Sequence, residues 1–268
     1  MDNVLIDTLG GSYATASAQW LQRLLPIAQT LFVSLATIEL AWSGIGWVLA
    51  ERAGEAVLGR VLKRLMTLLF FYALVLLAPN WMPILIRSFA EAGFVASGHD
   101  ALDPGTIAAL GIDLAVEMFD DAGGLFALMT MPLWASVSAL IVAVAFAVIA
   151  GILLRTLIES YVVLGGGVLL LGFGGSRWTV SFAEGYLVHA MRVGVRLFVL
   201  FLLIGVGMTF PTLWLDSLDQ NGYTARGALE IMAGSLMFAM TVWKVPQIAS
   251  EMIGPRAGFN LERAYVDP

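Results

Sequence analysis

The sequence predicts an all-α, polytopic transmembrane helical bundle with about five spans plus a re-entrant or interfacial glycine-rich segment. Apolar runs long enough to cross a membrane recur along the chain, and the charged residues are concentrated between them. Only 13% of the residues are charged, whereas 59% are hydrophobic. A soluble domain carries about 25% charged residues, and a helix needs about 20 apolar residues to cross the hydrocarbon core. Lipid is therefore the expected solvent for most of the chain.

Composition excludes several classes of function. The chain has no cysteine, which excludes disulfides, thiolate metal sites and cysteine nucleophiles within it. Its net charge is −6 without a basic tract, which argues against a surface that coats nucleic acid. Its two histidines, His99 and His189, are too few for a histidine metal site. Because no nucleophile, base or carboxylate pair is recognisable, we predict no enzyme activity and no cofactor or metal.

The predicted spans follow the apolar runs. Pro79 and Pro83 predict that the outer third of the second span is kinked or unwound. The five spans are Pro26–Ala50, Leu65–Ser88, Leu133–Leu154, Leu187–Phe210 and Gly227–Ala249. The corresponding organisation is an N-terminal periplasmic segment (1–25), two transmembrane helices (26–88), a periplasmic loop with an amphipathic helix (89–131), a transmembrane core (132–249) and a cytoplasmic tail (250–268).

Loop charges orient the spans, because cytoplasmic loops retain Lys and Arg. The basic loop Glu51–Arg64 is expected inside and the acidic stretch Phe89–Met131 outside. This predicts a multi-pass membrane protein with its N-terminus outside and its C-terminus inside; in the bacterial inner membrane, which the resemblance described below implies, these sides are the periplasm and the cytoplasm. The N-terminal stretch lacks the basic start of a secretory signal, so the first span is expected to be an uncleaved anchor.

The same orientation requires an odd number of crossings between Met131 and the basic stretch that begins at Arg177. Tyr161–Gly174 is short for a span, and Gly165–Gly167 weakens a helix. We therefore assign this segment as the re-entrant or interfacial piece. The alternative is a sixth span at 156–175.

The outer stretch contains a predicted amphipathic helix. Asp103 is a good N-cap and Pro104 suits the first helical position. Ile107, Leu110, Leu114 and Met118 recur at helical spacing, and Gly123 and Gly124 are expected to end the helix. The opposite face is acidic, which disfavours anionic lipid. A protein partner and an interfacial position on the bilayer both remain open; the partner-facing residues would be Asp113, Glu117 and Asp120.

Three ionisable residues lie at or near predicted spans. Glu39 is mid-span, where an ionisable residue must face protein or water. It is either part of a polar lumen or subunit contact, or it bonds a neighbouring hydroxyl such as Ser34 or Ser43. Arg155 and Glu159 are spaced i, i+4. They form either a boundary pair that ends the third span or fixed charge at a pore mouth or subunit seam.

A second group of basic residues is predicted to contact lipid headgroups. Arg192 and Arg196 share a helix face and need an anion between them. Lipid phosphate is the first choice and the carboxylate of Glu184 the second. Lys244 can extend to the same headgroup layer.

The glycine-rich stretch Gly172–Thr179 lacks the Gly-Lys-Ser/Thr ending of a Walker loop. It predicts a tight turn where the chain leaves lipid, anchored by Arg177 and Trp178. Together with the segments that follow it, this stretch resembles the TrbL family of conjugal transfer proteins, the polytopic inner-membrane subunits of type IV secretion systems. The segments that carry the resemblance are LLLGFGGSRWT, AEGYLVHAMRVGVRLFVL and KVPQIASEMIGP.

The resemblance implies a non-enzymatic subunit that forms a homo-oligomeric ring in membrane lipid at the base of the periplasmic stalk. Stalk or pilus subunits would meet the outer loop and the N-terminal segment, and DNA or protein substrate would pass transiently. Other inner-membrane secretion subunits and ATPases would meet the Gly172–Thr179 turn. The candidate motif residues there are Gly172, Gly174, Gly175, Arg177 and Trp178.

Two other functions fit the same pattern. Broken helices and midplane polar groups are typical of small-solute transporters, and the chain has a proline-kinked span and Glu39. A purely scaffolding membrane subunit would need the same spans and the same outer loop.

Overall fold

The computed structural model describes residues 4–49, 55–98, 103–121, 134–221 and 224–254, and these residues are almost entirely helical. In chain order the first helices are α1 (Val4–Leu49), α2 (Glu55–Leu76), α3 (Ala78–Ser97) and α4 (Pro104–Asp121). They are followed by α5 (Trp134–Gly166), α6 (Val168–Gly172), a 3-10 turn (Phe173–Gly175), α7 (Val180–Gly207), α8 (Phe210–Asn221) and α9 (Ala225–Glu251).

The apolar lengths of these helices confirm the all-α, polytopic fold. Four helical stretches of the described chain are long and apolar enough to cross a membrane, and the bent pair α2–α3 adds a fifth. Each of the five overlaps one predicted span. The stretches are Ile6–Gly46, the pair Gly59–Leu76 and Ala78–Ser97, Ser136–Gly175, Val180–Asp216 and Ala225–Glu251.

The second span is broken at a single residue, Leu77, where α2 and α3 meet at 72°. The break lies just before Pro79, earlier than the outer third in which the sequence placed it. Proline lacks an N–H and is best tolerated in the first turn of a helix, and Pro79 is the second residue of the new helix that starts at Ala78. The carbonyl of Leu74 accepts a hydrogen bond from the indole Nε1 of Trp81 at 2.9 Å.

The glycine-rich segment differs from the separate element that the sequence predicted. Helix α5 continues through Gly166, and after a one-residue break α6 extends the same apolar stretch as far as Gly175. Glycine in a helix costs up to about 1 kcal/mol relative to Ala. Here the glycines allow close packing: a Cβ at Gly165 would lie 2.7 Å from the carbonyl oxygen of Ser17. This contact favours the helix that intrinsic propensity disfavours.

The chain forms two compact units. One comprises residues 1–12, 88–158 and 194–252. Its described core contains aromatic pairs, including Phe94–Phe201 with ring centroids 4.0 Å apart and Phe146–Phe238 at 6.4 Å. Helix α4 packs on this core at Gly111, where any Cβ would collide with Phe146.

The start of α4 is as predicted. The Oδ1 of Asp103 accepts a hydrogen bond from the backbone N–H of Thr106 at 2.6 Å. The inward positions of α4 include Ile107, Leu114 and Met118, all buried, while the side chains of Asp113, Glu117 and Asp120 are exposed. The predicted stop at Gly123 and Gly124 lies outside the described residues, as does the tail from residue 255.

The other unit comprises residues 13–87, 159–193 and 253–268, taken over the residues that the structure describes. It contains most of α1, the whole of α2 and the Gly172–Thr179 turn. Tyr186 of α7 is buried in its core, and its hydroxyl donates to the carbonyl of Val163 on α5 at 3.0 Å. Arg64, which the sequence placed in a cytoplasmic loop, lies instead on α2 in this unit and is buried.

Candidate functional site

Helix α1 carries Glu39 into the interior of the second unit. Leu21, Ala28, Phe32 and Glu39 follow one another at intervals of 7, 4 and 7 residues and are all buried. These intervals approximate whole turns of an α-helix, so Glu39 lies on the packed face of α1. Its side chain is 0% exposed.

Four side chains contact the Glu39 carboxylate. Arg64 of α2 forms an ion pair with Oε1. The Oγ of Ser176 donates to Oε2 at 2.8 Å, and Nε of Arg177 lies 3.6 Å from Oε1. Ser43, one turn along α1, donates to Oε1 at 3.4 Å. We call these five residues the Glu39 cluster.

The Glu39 cluster contains two guanidinium groups and one carboxylate. The Arg64 side chain is 9% exposed and that of Arg177 is 36% exposed. A buried charge is tolerated only with a partner and hydrogen bonds to its remaining atoms. Glu39 has both, since both carboxylate oxygens are occupied. The cluster is therefore a set of polar contacts that links α1, α2 and the Gly172–Thr179 turn.

The glycine-rich turn places Ser176 and Arg177 against α1. Ser176 has extended backbone (φ −139°, ψ 145°), which ends the preceding 3-10 turn. Its carbonyl accepts from the N–H of Val180 at 2.9 Å at the start of α7. Thr179 closes the turn, because its Oγ1 donates to the carbonyl of Phe173 at 2.6 Å.

The close approach of the turn depends on glycine. A Cβ at Gly172 would lie 2.7 Å from the carbonyl oxygen of Ala28, and one at Gly174 would lie 2.7 Å from the ring of Phe71. A Cβ at Gly175 would also collide with the backbone of α1. The three predicted motif glycines therefore lie against α1 and α2 because they lack side chains.

Two tryptophans border the exposed side of the Glu39 cluster. The guanidinium of Arg177 lies 5.2 Å from the ring centroid of Trp178, within cation–π range. Trp178 packs edge-on against Trp42 of α1 at 6.1 Å, and both indoles are more than half exposed. The turn therefore presents an aromatic and cationic surface next to the buried carboxylate.

Other predicted site residues lie away from the Glu39 cluster. The carboxylate of Glu159 lies 3.9 Å from Nε2 of His189, while Arg155 is exposed. The Nε of Arg192 donates to the carbonyl of Ile253 at 2.8 Å, a protein contact in addition to any lipid. Arg196 is partly exposed and Lys244 is exposed.

Sequence reasoning missed Arg64 and Ser176 as members of the site. The signal for Arg64 was available, because this residue borders the apolar run of α2 and a mid-span carboxylate needs a cation. No pattern in the sequence indicated that Ser176 contacts Glu39. Among the described residues, no group of three or more His, Asp and Glu side chains could hold a metal ion.

Comparison with known proteins identifies the family. Residues 36–245 match the model of the TrbL/VirB6 plasmid conjugal transfer proteins. The chain belongs to the TrbL/VirB6 family. Glu39, Arg64 and the Gly172–Thr179 turn all lie within the matched region.

Two TrbL proteins are similar over most of the chain. A probable conjugal transfer protein TrbL of Sinorhizobium fredii is 28% identical over 207 residues, covering 77% of this chain and 52% of that protein. A conjugal transfer protein TrbL of Rhizobium radiobacter is 28% identical over 204 residues, covering 76% and 51%. The chain thus spans about half the length of the curated relatives that it matches.

Proposed function

We propose that this chain is a multi-pass inner-membrane subunit of a type IV secretion machine for conjugative DNA transfer. It acts by assembly into a homo-oligomeric ring at the base of the stalk and performs no catalysis. The observation that carries the proposal is the family match, which spans residues 36–245 and includes the Glu39 cluster and parts of all five candidate spans. The proposed orientation, with N-terminus out and C-terminus in, rests on the loop charges.

In this proposal the Glu39 cluster is a structural joint of the subunit. Pairing of Glu39 with Arg64 fixes α1 to α2, and the 2.8 Å bond from Ser176 fixes the turn to both helices. A buried ionic pair contributes little to net stability compared with apolar packing but is costly to break. It therefore specifies one register of three elements, which a subunit that assembles repeatedly into one geometry requires.

The acidic face of α4 supplies a proposed contact for the periplasmic stalk. Asp113, Glu117 and Asp120 are exposed, while the buried face of the same helix anchors it to its unit. Like-signed charge on a rigid helix guides a basic partner during encounter and suppresses contact with anionic lipid. The rest of the assembly, including ATPases and other inner-membrane subunits, would meet the opposite side of the membrane near Arg177.

A mating assay tests the function itself. Deletion of the gene from the donor should abolish plasmid transfer, and expression of the intact chain in trans should restore it. The same cells report orientation through a reporter fused to the C-terminus, which should be active only in the cytoplasm. Normal transfer by the deletion strain would refute the proposal.

A second experiment tests the partner surface. The triple variant Asp113→Asn, Glu117→Gln, Asp120→Asn removes the acidic face and leaves the buried face of α4 intact. It should insert and oligomerise as the parent does but lose transfer and co-purification with the stalk subunit. The control neutralises Glu91, Asp216 and Glu251, three exposed carboxylates outside α4, and should leave both readouts unchanged. Equal loss in both variants would assign the effect to net charge rather than to α4.

A further inference from the structure

Helix α1 has an exposed polar stripe on the side opposite its packed face. Exposed polar side chains of its second-unit portion recur along one line of the helix. Gln19, Arg23, Thr30 and Thr37 follow one another at intervals of 4, 7 and 7 residues. Such intervals keep residues on one side of a helix with 3.6 residues per turn. We define the α1 polar stripe as Gln19, Gln22, Arg23, Thr30 and Thr37.

The stripe faces away from the second unit. Arg23 and Thr30 each follow a buried residue by two positions, and Thr37 precedes buried Glu39 by two. Two residues correspond to about 200° around a helix, so stripe and packed face are nearly opposite. Helix α1 is also the least covered of the four long apolar stretches, with 17% of its most apolar window buried against 33–44% for the others.

A different side of α1 is apolar. Large apolar side chains line the flank next to the stripe, among them Ile27 at 55% and Ile38 at 56% exposed. These two residues bracket Thr30 and Thr37 along the helix axis. The threonine side and the isoleucine side therefore reach the same depth and differ in direction, and the threonine side also carries Val33, which is 51% exposed.

The polarity of the stripe is partly satisfied within the helix. The hydroxyls of Thr30 and Thr37 donate to the carbonyls of Pro26 and Val33, at 2.9 and 2.8 Å. Gln19, Gln22 and Arg23 are exposed and precede the predicted span that begins at Pro26, so they form the outer end of the stripe. Polar and ionisable groups on a membrane helix face protein interior or a water-filled cavity, because lipid cannot solvate them.

We infer that the α1 polar stripe lines a water-filled path in the assembled subunit, with the Ile27–Ile38 flank against lipid. This inference rests on the proposed function, since one copy of the chain leaves the stripe uncovered and several copies must enclose the water. The path would carry a hydrophilic substrate past hydroxyl and amide groups rather than past a row of cations. Such a lining attracts water without holding a polyanion in place.

The absence of native cysteine permits a direct test by cysteine scanning. Single variants Thr30→Cys and Thr37→Cys report on the stripe, and Ile27→Cys and Ile38→Cys are controls with matched depth and exposure. Each variant is assembled in inner-membrane vesicles and treated with a charged methanethiosulfonate reagent. Since the reagent reacts with the thiolate, which forms in water, the stripe positions should react at least about tenfold faster than the controls. Labelling after denaturation gives the total thiol.

Two results would overturn the inference. One is equal, slow labelling at all four positions. The other is rapid disulfide crosslinking of Thr30→Cys between copies together with slow labelling, which would make the stripe a dry subunit seam. Mating by each unlabelled variant is measured in parallel: normal transfer with slow labelling refutes the lumen alone, whereas normal transfer by the gene deletion refutes the proposed function.

Discussion

Substitution of Glu39 by Gln tests whether the Glu39 cluster holds the second unit together. The change preserves the size of the side chain and retains a hydrogen-bond acceptor for Ser176, but it removes the only carboxylate that contacts Arg64 and Arg177 within the cluster. Loss of one partner from a buried ion pair costs about 3–5 kcal/mol, because the remaining charge stays desolvated. That range corresponds to more than about a hundredfold in the folding equilibrium.

The two arginines should contribute unequally. Arg177 is 36% exposed and lies 3.6 Å from the carboxylate, so its loss should cost about 0.2–1 kcal/mol, as for a surface pair. Arg64 is buried and accounts for most of the expected effect of Glu39→Gln. The double variant Glu39→Gln, Arg64→Met should recover much of the lost stability, with a coupling energy of about 2–3 kcal/mol.

Unfolding of purified protein by SDS in mixed micelles, followed by tryptophan fluorescence, measures each variant. Expected midpoints fall in the order parent, Arg177→Gln, double variant, Glu39→Gln. If the free energy of unfolding of Glu39→Gln lies within about 1 kcal/mol of the parent value, the carboxylate does not hold the unit together, since surface substitutions already change stability by up to about 0.5 kcal/mol. The same conclusion would follow if the double variant were no more stable than the single one.

Three further changes test neighbouring features, each by the same unfolding measurement. Gly172→Val places a side chain against the Ala28 carbonyl and should lower the free energy of unfolding by about 1–3 kcal/mol. At Gly185 a Cβ meets nothing within 4 Å, so Gly185→Ala should raise it by up to about 1 kcal/mol. Equal effects of the two changes would contradict the close-packing argument. Asp103→Ala removes the cap of α4 and should cost about 1 kcal/mol, with exposed Asp113→Asn as a control expected within about 0.5 kcal/mol of the parent. Tyr186→Phe removes one of two donors to the Val163 carbonyl, the other being the backbone N–H of Gly167, and should cost about 0.5–1.5 kcal/mol; no change would mean that the Gly167 N–H alone satisfies the carbonyl.

Much of the fold could be predicted because membrane spans are specified by local apolar length. The positions of all five candidate spans follow from runs that no soluble chain would carry. The start of α4 was equally local, since Asp103 and Pro104 determine it through capping and a fixed φ. Where a feature depends on residues adjacent in the chain, sequence reasoning found it, although two of the apolar helical stretches extend about 20 residues beyond the predicted spans, one at its start (Ile6) and one at its end (Gly175).

Features that depend on distant contacts could not be placed in the same way. The glycines near residue 165 indicate a separate element by propensity, yet the helix is interrupted only at Gly167 and resumes as α6, and Ser17, far away in the sequence, packs against Gly165. Glu39 was recognised as needing a partner, but its nearest candidates were the hydroxyls beside it on α1. The ion pair with Arg64 depends on how α1 and α2 pack, and neither helix encodes that alone.

The corner at Leu77 has a mechanical consequence. A helix break normally leaves an unoccupied backbone acceptor that allows the two arms to swing. At this corner the indole N–H of Trp81, in α3, donates to the Leu74 carbonyl, in α2. This hydrogen bond restrains the angle between the two helices. A displacement of α2 would therefore move α3 with it, in a direction that differs by the 72° between the two helix axes, instead of changing the angle at Leu77.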